Sequence, residues 1–176
     1  MIDQNLVWID LETTGLNPER CEILEIAVIV TDADLNTISE EKSYVIKNSI
    51  ETLSNMNSWC LKQHTINNLI DDCLKSKLTL YDVEESICSL LKEFIIPNFN
   101  PMCGNSINFD KAFLEMHMPT LNNLFSFRTI DVSSIQQLFT RWHNHNGYVK
   151  KGTHRALDDI KESINELKFY RENFFK

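Results

Sequence analysis

Asp10 and Glu12 close an apolar run at residues 6–11, and Thr13-Thr14-Gly15 follows at once. In an extended strand side chains alternate between faces, so residues two apart share a face and both carboxylates look toward one place. Two adjacent anions repel each other and are best tolerated with a cation between them. A pair of oxygen ligands at a strand end suits a hard divalent ion such as Mg2+ or Mn2+. An acidic strand end in plain solvent would use the same residues, and the rest of the chain decides between the two.

Strands are expected at residues 6–11, 23–31 and 37–46, joined by turn-forming Asn17-Pro18 and Asp32-Ala33-Asp34 as an antiparallel meander. A helix over 80–96 follows from Val83, Ile87, Leu90, Leu91 and Phe94 on one face, with a Thr79-x-x-Asp82 capping box and Pro97 as a stop. Further elements are a strand at 101–104, a helix at 108–117, a strand at 127–132, a helix at 133–143 and a last helix at 155–174. Strands first, then alternating helices and strands, predict an α/β fold with a mixed sheet. The 176 residues fit one domain, 1–176, large enough to bury a core without staples.

No apolar stretch has the length of a membrane span, since Glu25 interrupts residues 23–30. The N-terminus has no signal-like pattern, and five cysteines without a Cys-x-x-Cys pair fit neither a disulfide framework nor a thiolate zinc site. Cytoplasmic residence and reduced, mostly buried thiols are expected. A net charge of -8 argues against gripping a long nucleic acid, because affinity for extended phosphate backbones needs many Lys and Arg contacts. The charge is uneven. Residues 1–127 hold 8 basic against 19 acidic side chains, a net of -11, whereas 128–176 hold 9 against 6, a net of +3.

Four glycines cannot write either a dinucleotide-binding loop or a phosphate loop, and no Gly-x-Ser-x-Gly elbow occurs. Chemistry therefore falls to acids and a histidine. Asp110 opens the helix after the 101–104 strand, near a strand's C-terminal edge where α/β sheets place their sites; a carboxylate favoured by the helix dipole would sit there too. His154 precedes the last helix, in which Leu157, Ile160, Ile164 and Leu167 point to the core. Asp158 and Asp159 fall on its flanks, and periodicity does not choose between them.

Together, Asp10-Leu11-Glu12-Thr13-Thr14-Gly15, Asn105-Ser106-Ile107-Asn108-Phe109-Asp110 and His154-Arg155-Ala156-Leu157-Asp158-Asp159 resemble the DEDDh family of 3'-5' exonucleases. Trp8, Cys103-Gly104, Ile130-Asp131-Val132-Ser133 and Ile160-Lys161-Glu162-Ser163 extend the resemblance to its oligoribonuclease branch, over nearly the whole chain. The resemblance implies a ribonuclease-H-like fold, a mixed β-sheet flanked by α-helices. It also implies a homodimer, two divalent ions (Mg2+ or Mn2+), and conversion of very short RNAs, dinucleotides above all, to 5'-mononucleotides. It makes Asp10, Glu12, Asp110 and Asp159 the metal ligands and His154 the general base. Leu16 would wedge between two bases, Trp59 and His64 would help line the site, and Ser106, Arg128 and Ser133 would hold a 5' phosphate.

The chain departs from that pattern at three places. Phe127 stands where the family commonly has Tyr, whose hydroxyl reaches the 5' phosphate across the dimer interface, so a weaker dinucleotide preference is expected. Thr13 replaces a usual Met and Asn108-Phe109 a usual Gly-Gln, both reminiscent of proofreading exonucleases. The rival expectation is a DNA-proofreading or RNA-trimming DEDDh enzyme acting on longer single strands; a non-enzymatic binding module is the rival from another class. Aromatics at 125–127 and Trp142 are expected to be exposed and to suit an interface.

Overall fold

The computed structural model describes residues 1–143, 146–150 and 152–175. After a short 3-10 turn at Ile2–Gln4 come β1 (Leu6–Thr13), β2 (Ile23–Thr31) and β3 (Lys42–Val45), then α1 (Ile50–Ser54), α2 (Ser58–Ile66), α3 (Leu69–Lys75) and α4 (Leu80–Leu91). The chain continues through β4 (Met102–Gly104), α5 (Asn108–His117), α6 (Pro119–Asn122), β5 (Thr129–Asp131), α7 (Val132–His143) and α8 (Ala156–Asn173). Sheet order is β3-β2-β1-β4-β5; β1 to β3 are antiparallel, and β4 and β5 run parallel to β1. This is the expected mixed sheet flanked by helices.

Alternation along β1 sorts its side chains between two layers. Val7, Ile9 and Leu11 pack with Val83, Ile87 and Leu91 of α4 and with Phe113 and Leu114 of α5. Trp8, on the opposite face, packs with Ala27 and Ile29 of β2 and with Ala156, Ile160 and Ile164 of α8. Burying a large apolar side chain contributes about 1.5–3 kcal/mol, so both layers hold β1 in register. Trp8 Nε1 also donates to Thr31 Oγ1 at 3.0 Å, which leaves its buried N–H satisfied. As a consequence Asp10 and Glu12, two and four residues beyond Trp8, face α8.

Tertiary hydrogen bonds trim several expected elements. The helix expected to run to residue 96 stops at Leu91, where Phe94 and Ile95 N–H groups both turn back onto the Leu91 carbonyl and Asn5 Nδ2 takes the Phe94 carbonyl at 2.8 Å. Its Thr79–Asp82 capping box forms as expected. The third strand shrinks to β3 plus one bridge at Thr37, because Ser39 Oγ accepts the Val30 N–H in place of a backbone carbonyl and breaks the ladder. The three short helices of residues 50–75 lie below the length at which periodicity speaks. Phe125 is buried rather than exposed, whereas Phe127 and Trp142 are exposed. Among the described residues no helix is long and apolar enough to cross a membrane.

Candidate active site

The C-terminal half of β1 gathers acids from two helices. β4 ends at Gly104, just past the level of Trp8, so the Leu11 N–H beyond it has no strand partner on that side. Asp110 Oδ1, from the first turn of α5, accepts that N–H at 3.0 Å. Gly104 makes the approach possible, since a Cβ there would sit 2.9 Å from the Ile9 carbonyl oxygen and 2.8 Å from Ile107. On the other side, Asp159 lies in the first turn of α8, and its carboxylate, that of Glu12 and a ring nitrogen of His154 lie within 4.8 Å of one another. Asp158 is exposed and is not part of that group.

Burial and mutual repulsion make these acids hard to ionise. Asp10 is raised well above the usual carboxylate range, by burial first and then by Asp110, Asp159 and Glu12. Burial, with Asp159 and Glu25 as neighbours, lifts Glu12 to about 8. Asp110 is pushed to about 7 by burial against the pull of its backbone hydrogen bonds, and Asp159 to about 6 by burial, offset by His154 and Lys150. Excess negative charge of this kind is what a divalent cation neutralises. The donors are carboxylate oxygens plus one imidazole, with no thiol in the described cluster, so the residues fit a hard divalent ion.

His154 has φ +53°, a left-handed conformation unusual for a residue with a side chain. Its ring meets the Trp59 ring edge-on, centroids 5.4 Å apart. Leu16 and Trp59 are 81% and 59% exposed, and Leu16 lines a cleft with Arg20, Thr52, Asn55 and Asn57. His64 differs from both: it is buried behind Glu12, its Nε2 on the Thr13 carbonyl at 3.1 Å and its Nδ1 3.9 Å from Glu12 Oε2. Burial lowers its pKa, and Nδ1 has no hydrogen-bond partner among the described residues. Ser106 and Ser133 are brought together by Asp131, whose Oδ1 accepts both their N–H groups at 2.9 Å and the Ser133 hydroxyl at 2.6 Å. Arg128 immediately precedes β5, three residues before Asp131, with its guanidinium carbon 4.4 Å from the Phe127 ring centroid.

Two charged networks around the site escaped the sequence reading. Arg155 pairs bidentately with buried Glu25 and reaches Asp72, and Lys150 lies 3.0 Å from fully buried Glu166, which also accepts from Asn105 and Tyr170. Glu25 was visible as a lone charge inside an apolar run, and a charge buried in a strand demands a partner. The sequence could not say which cation answers it.

The Exonuclease family model (RNase T) matches residues 7–167 of the chain. The oligoribonuclease of Actinobacillus pleuropneumoniae is 48% identical over 174 residues, covering 98% of this chain and 95% of that protein. That of Vibrio vulnificus is 46% identical over 176 residues, covering 99% and 97%. Among solved structures, exonuclease I from Methylocaldum szegediense superposes with a TM-score of 0.73 at 20% identity, and the zinc-bound E. coli ExoI–ssDNA complex with 0.75 at 15%. Both matches cover 98% of this chain, which spans only 41% of the exonuclease I chains; at that identity they speak for the fold alone.

Proposed function

This chain belongs to the oligoribonuclease family of exonucleases and is a 3'-5' exoribonuclease acting on short RNAs; we propose that dinucleotides are its foremost substrates and 5'-mononucleotides its products. The observation that carries the proposal is the meeting of Glu12 and Asp159 with His154, beside Asp10 and Asp110, at the end of β1. In this reading Asp10, Glu12, Asp110 and Asp159 hold two divalent ions, Mg2+ or Mn2+. Bound there, such ions stabilise charge on the attacking and leaving oxygens of a phosphodiester hydrolysis.

The chain's own side chains supply the rest. His154 takes the proton of the attacking water as general base, the role imidazoles most often fill in such reactions. Exposed Leu16 and Trp59 offer apolar surface against which bases stack without sequence readout. Buried His64 supports the floor through the Thr13 carbonyl. Ser106, Ser133 and Arg128 are the groups assigned to a 5' phosphate; Asp131 holds the backbone N–H of both serines, and the Ser133 hydroxyl leaves its carboxylate to donate to the phosphate. Few phosphate contacts suit an acidic protein. Residues 1–176 act as one catalytic domain, in a homodimer whose interface includes exposed Phe127, and the free cysteines suit the cytoplasm.

The test is cleavage of a 5'-phosphorylated ribodinucleotide against a heptamer under Mn2+, with deoxyribo-oligomers alongside. Faster turnover of the dinucleotide is expected. Preference for the heptamer or for DNA favours a trimming or proofreading enzyme, and no hydrolysis favours a binding module.

A further inference from the structure

The residue after the base is more heavily tethered than the base itself. Arg155 Nε and Nη2 each donate at 3.0 Å to the carboxylate of Glu25, on β2. Its Nη1 reaches Asp72 Oδ2 at 3.2 Å, on α3, and the Asn67 carbonyl at 3.4 Å, at the C-terminal cap of α2. The Glu25 carboxylate also accepts the Ala156 N–H at 3.2 Å and the Ser43 hydroxyl at 2.6 Å. The same Asn67 donates through its Nδ2 to the His154 carbonyl oxygen. The turn from His154 to Ala156 is thus fastened to β2, α2 and α3 at once.

Such fastening answers a need. A left-handed φ at a non-glycine residue persists only where its surroundings hold it, and His154 is held there by the two residues just described. A planar guanidinium bidentate on a carboxylate fixes direction as well as distance, which an isolated charge contact does not. Glu25 lies directly across the β1–β2 ladder from Glu12, so the clasp is anchored on the strand paired with the metal-binding strand. α2 also carries Trp59, whose ring meets that of His154. We infer that Arg155, with Asn67, is a positioning residue for His154: a clasp built on Glu25 and Asp72 that sets the histidine ring against Glu12, Asp159 and Trp59. The inference rests on the reading of His154 as the base.

The experiment uses the full chain in two assays. In metal-free protein labelled with 13C-histidine, the His154 ring resonance, assigned by its loss in His154→Ala, reports the ring current of Trp59. Under Mn2+, dinucleotide cleavage gives kcat and KM. Asn67→Ala removes one tether without changing charge, and it stands in if Arg155→Ala, which leaves Glu25 buried and unpaired, does not fold. Both variants are expected to move the His154 resonance toward that of an exposed histidine and to lower kcat about 10- to 100-fold, the scale on which misplacing a catalytic group by about 1 Å acts. KM stays within about threefold, because the groups assigned to substrate are untouched, and Arg155→Lys, keeping one contact to Glu25, recovers part of kcat. An unchanged kcat in folded Asn67→Ala and Arg155→Ala overturns the inference, whatever the resonance does. Cleavage by His154→Ala at the parent rate would instead show that the base reading failed.

Discussion

Asp110 Oδ1 accepts the backbone N–H of Leu11 at 3.0 Å, between the two acidic residues of β1. One carboxylate therefore closes the open edge of the central strand and adds a fourth acid to the cluster. Asp110→Asn separates the two tasks, because an amide oxygen still accepts the Leu11 N–H but carries no charge. Dinucleotide cleavage is expected to fall by about a thousandfold, as removal of a key electrostatic group can cost. Metal-free Asp110→Asn should melt several degrees above the parent at pH 8, since it no longer forces a buried acid to ionise, a relief of about 1–3 kcal/mol. Calorimetry checks this; a lower melting temperature would mean that the charge itself stabilises the strand.

His154→Ala should lose about 10²- to 10⁴-fold in kcat, the usual contribution of a general base. Four carboxylates remain to bind cations, so Mn2+ affinity by titration calorimetry is expected to stay within about threefold. Loss of Mn2+ binding in step with activity would make His154 a ligand rather than a base.

The raised acids predict a pH dependence of stability whose sign can be worked out. Glu12 at about 8 and Asp110 at about 7 hold protons in the folded, metal-free state that the unfolded chain has already released. Their stabilising effect is present at low pH and is lost as pH rises through those values. His64, lowered by burial, acts in the opposite sense on the acid side, so the informative window is pH 6.5 to 8.5. Across it the melting temperature of chelator-treated protein should fall, and the rise caused by Mn2+ should grow, because protons compete with the cation less. An Mn2+ response that is flat across this window contradicts the shared cation site.

Phe127, 79% exposed in the single chain, is carried into the proposed homodimer interface, where Phe127→Tyr adds a hydroxyl. If the added hydroxyl reaches the 5' phosphate, KM for a 5'-phosphorylated dinucleotide should drop about tenfold or more, the effect of a hydrogen bond to a charged group worth about 1.5–3 kcal/mol. A 5'-hydroxyl dinucleotide serves as the control and should show no gain. Equal improvement for both substrates would point to stacking instead.

The sequence by itself determined the mixed α/β architecture, the strand carrying Asp10 and Glu12, the helix starts at Asn108 and near Ala156, and the motif set from which the family follows. These were legible because alternation along a buried strand, the capping box at Thr79 and Asp82, and motif spacing are local signals. Tertiary structure alone decided that α4 gives way after Leu91 to a turn whose Phe94 carbonyl Asn5 takes, that His64 lies beneath Glu12, and that Glu25 meets Arg155 across 130 residues. It also bound Ser106 and Ser133 to one Asp131 carboxylate. The physical reason is that a buried charge or polar group specifies only that a partner must exist, and which residue becomes that partner depends on how distant segments come together.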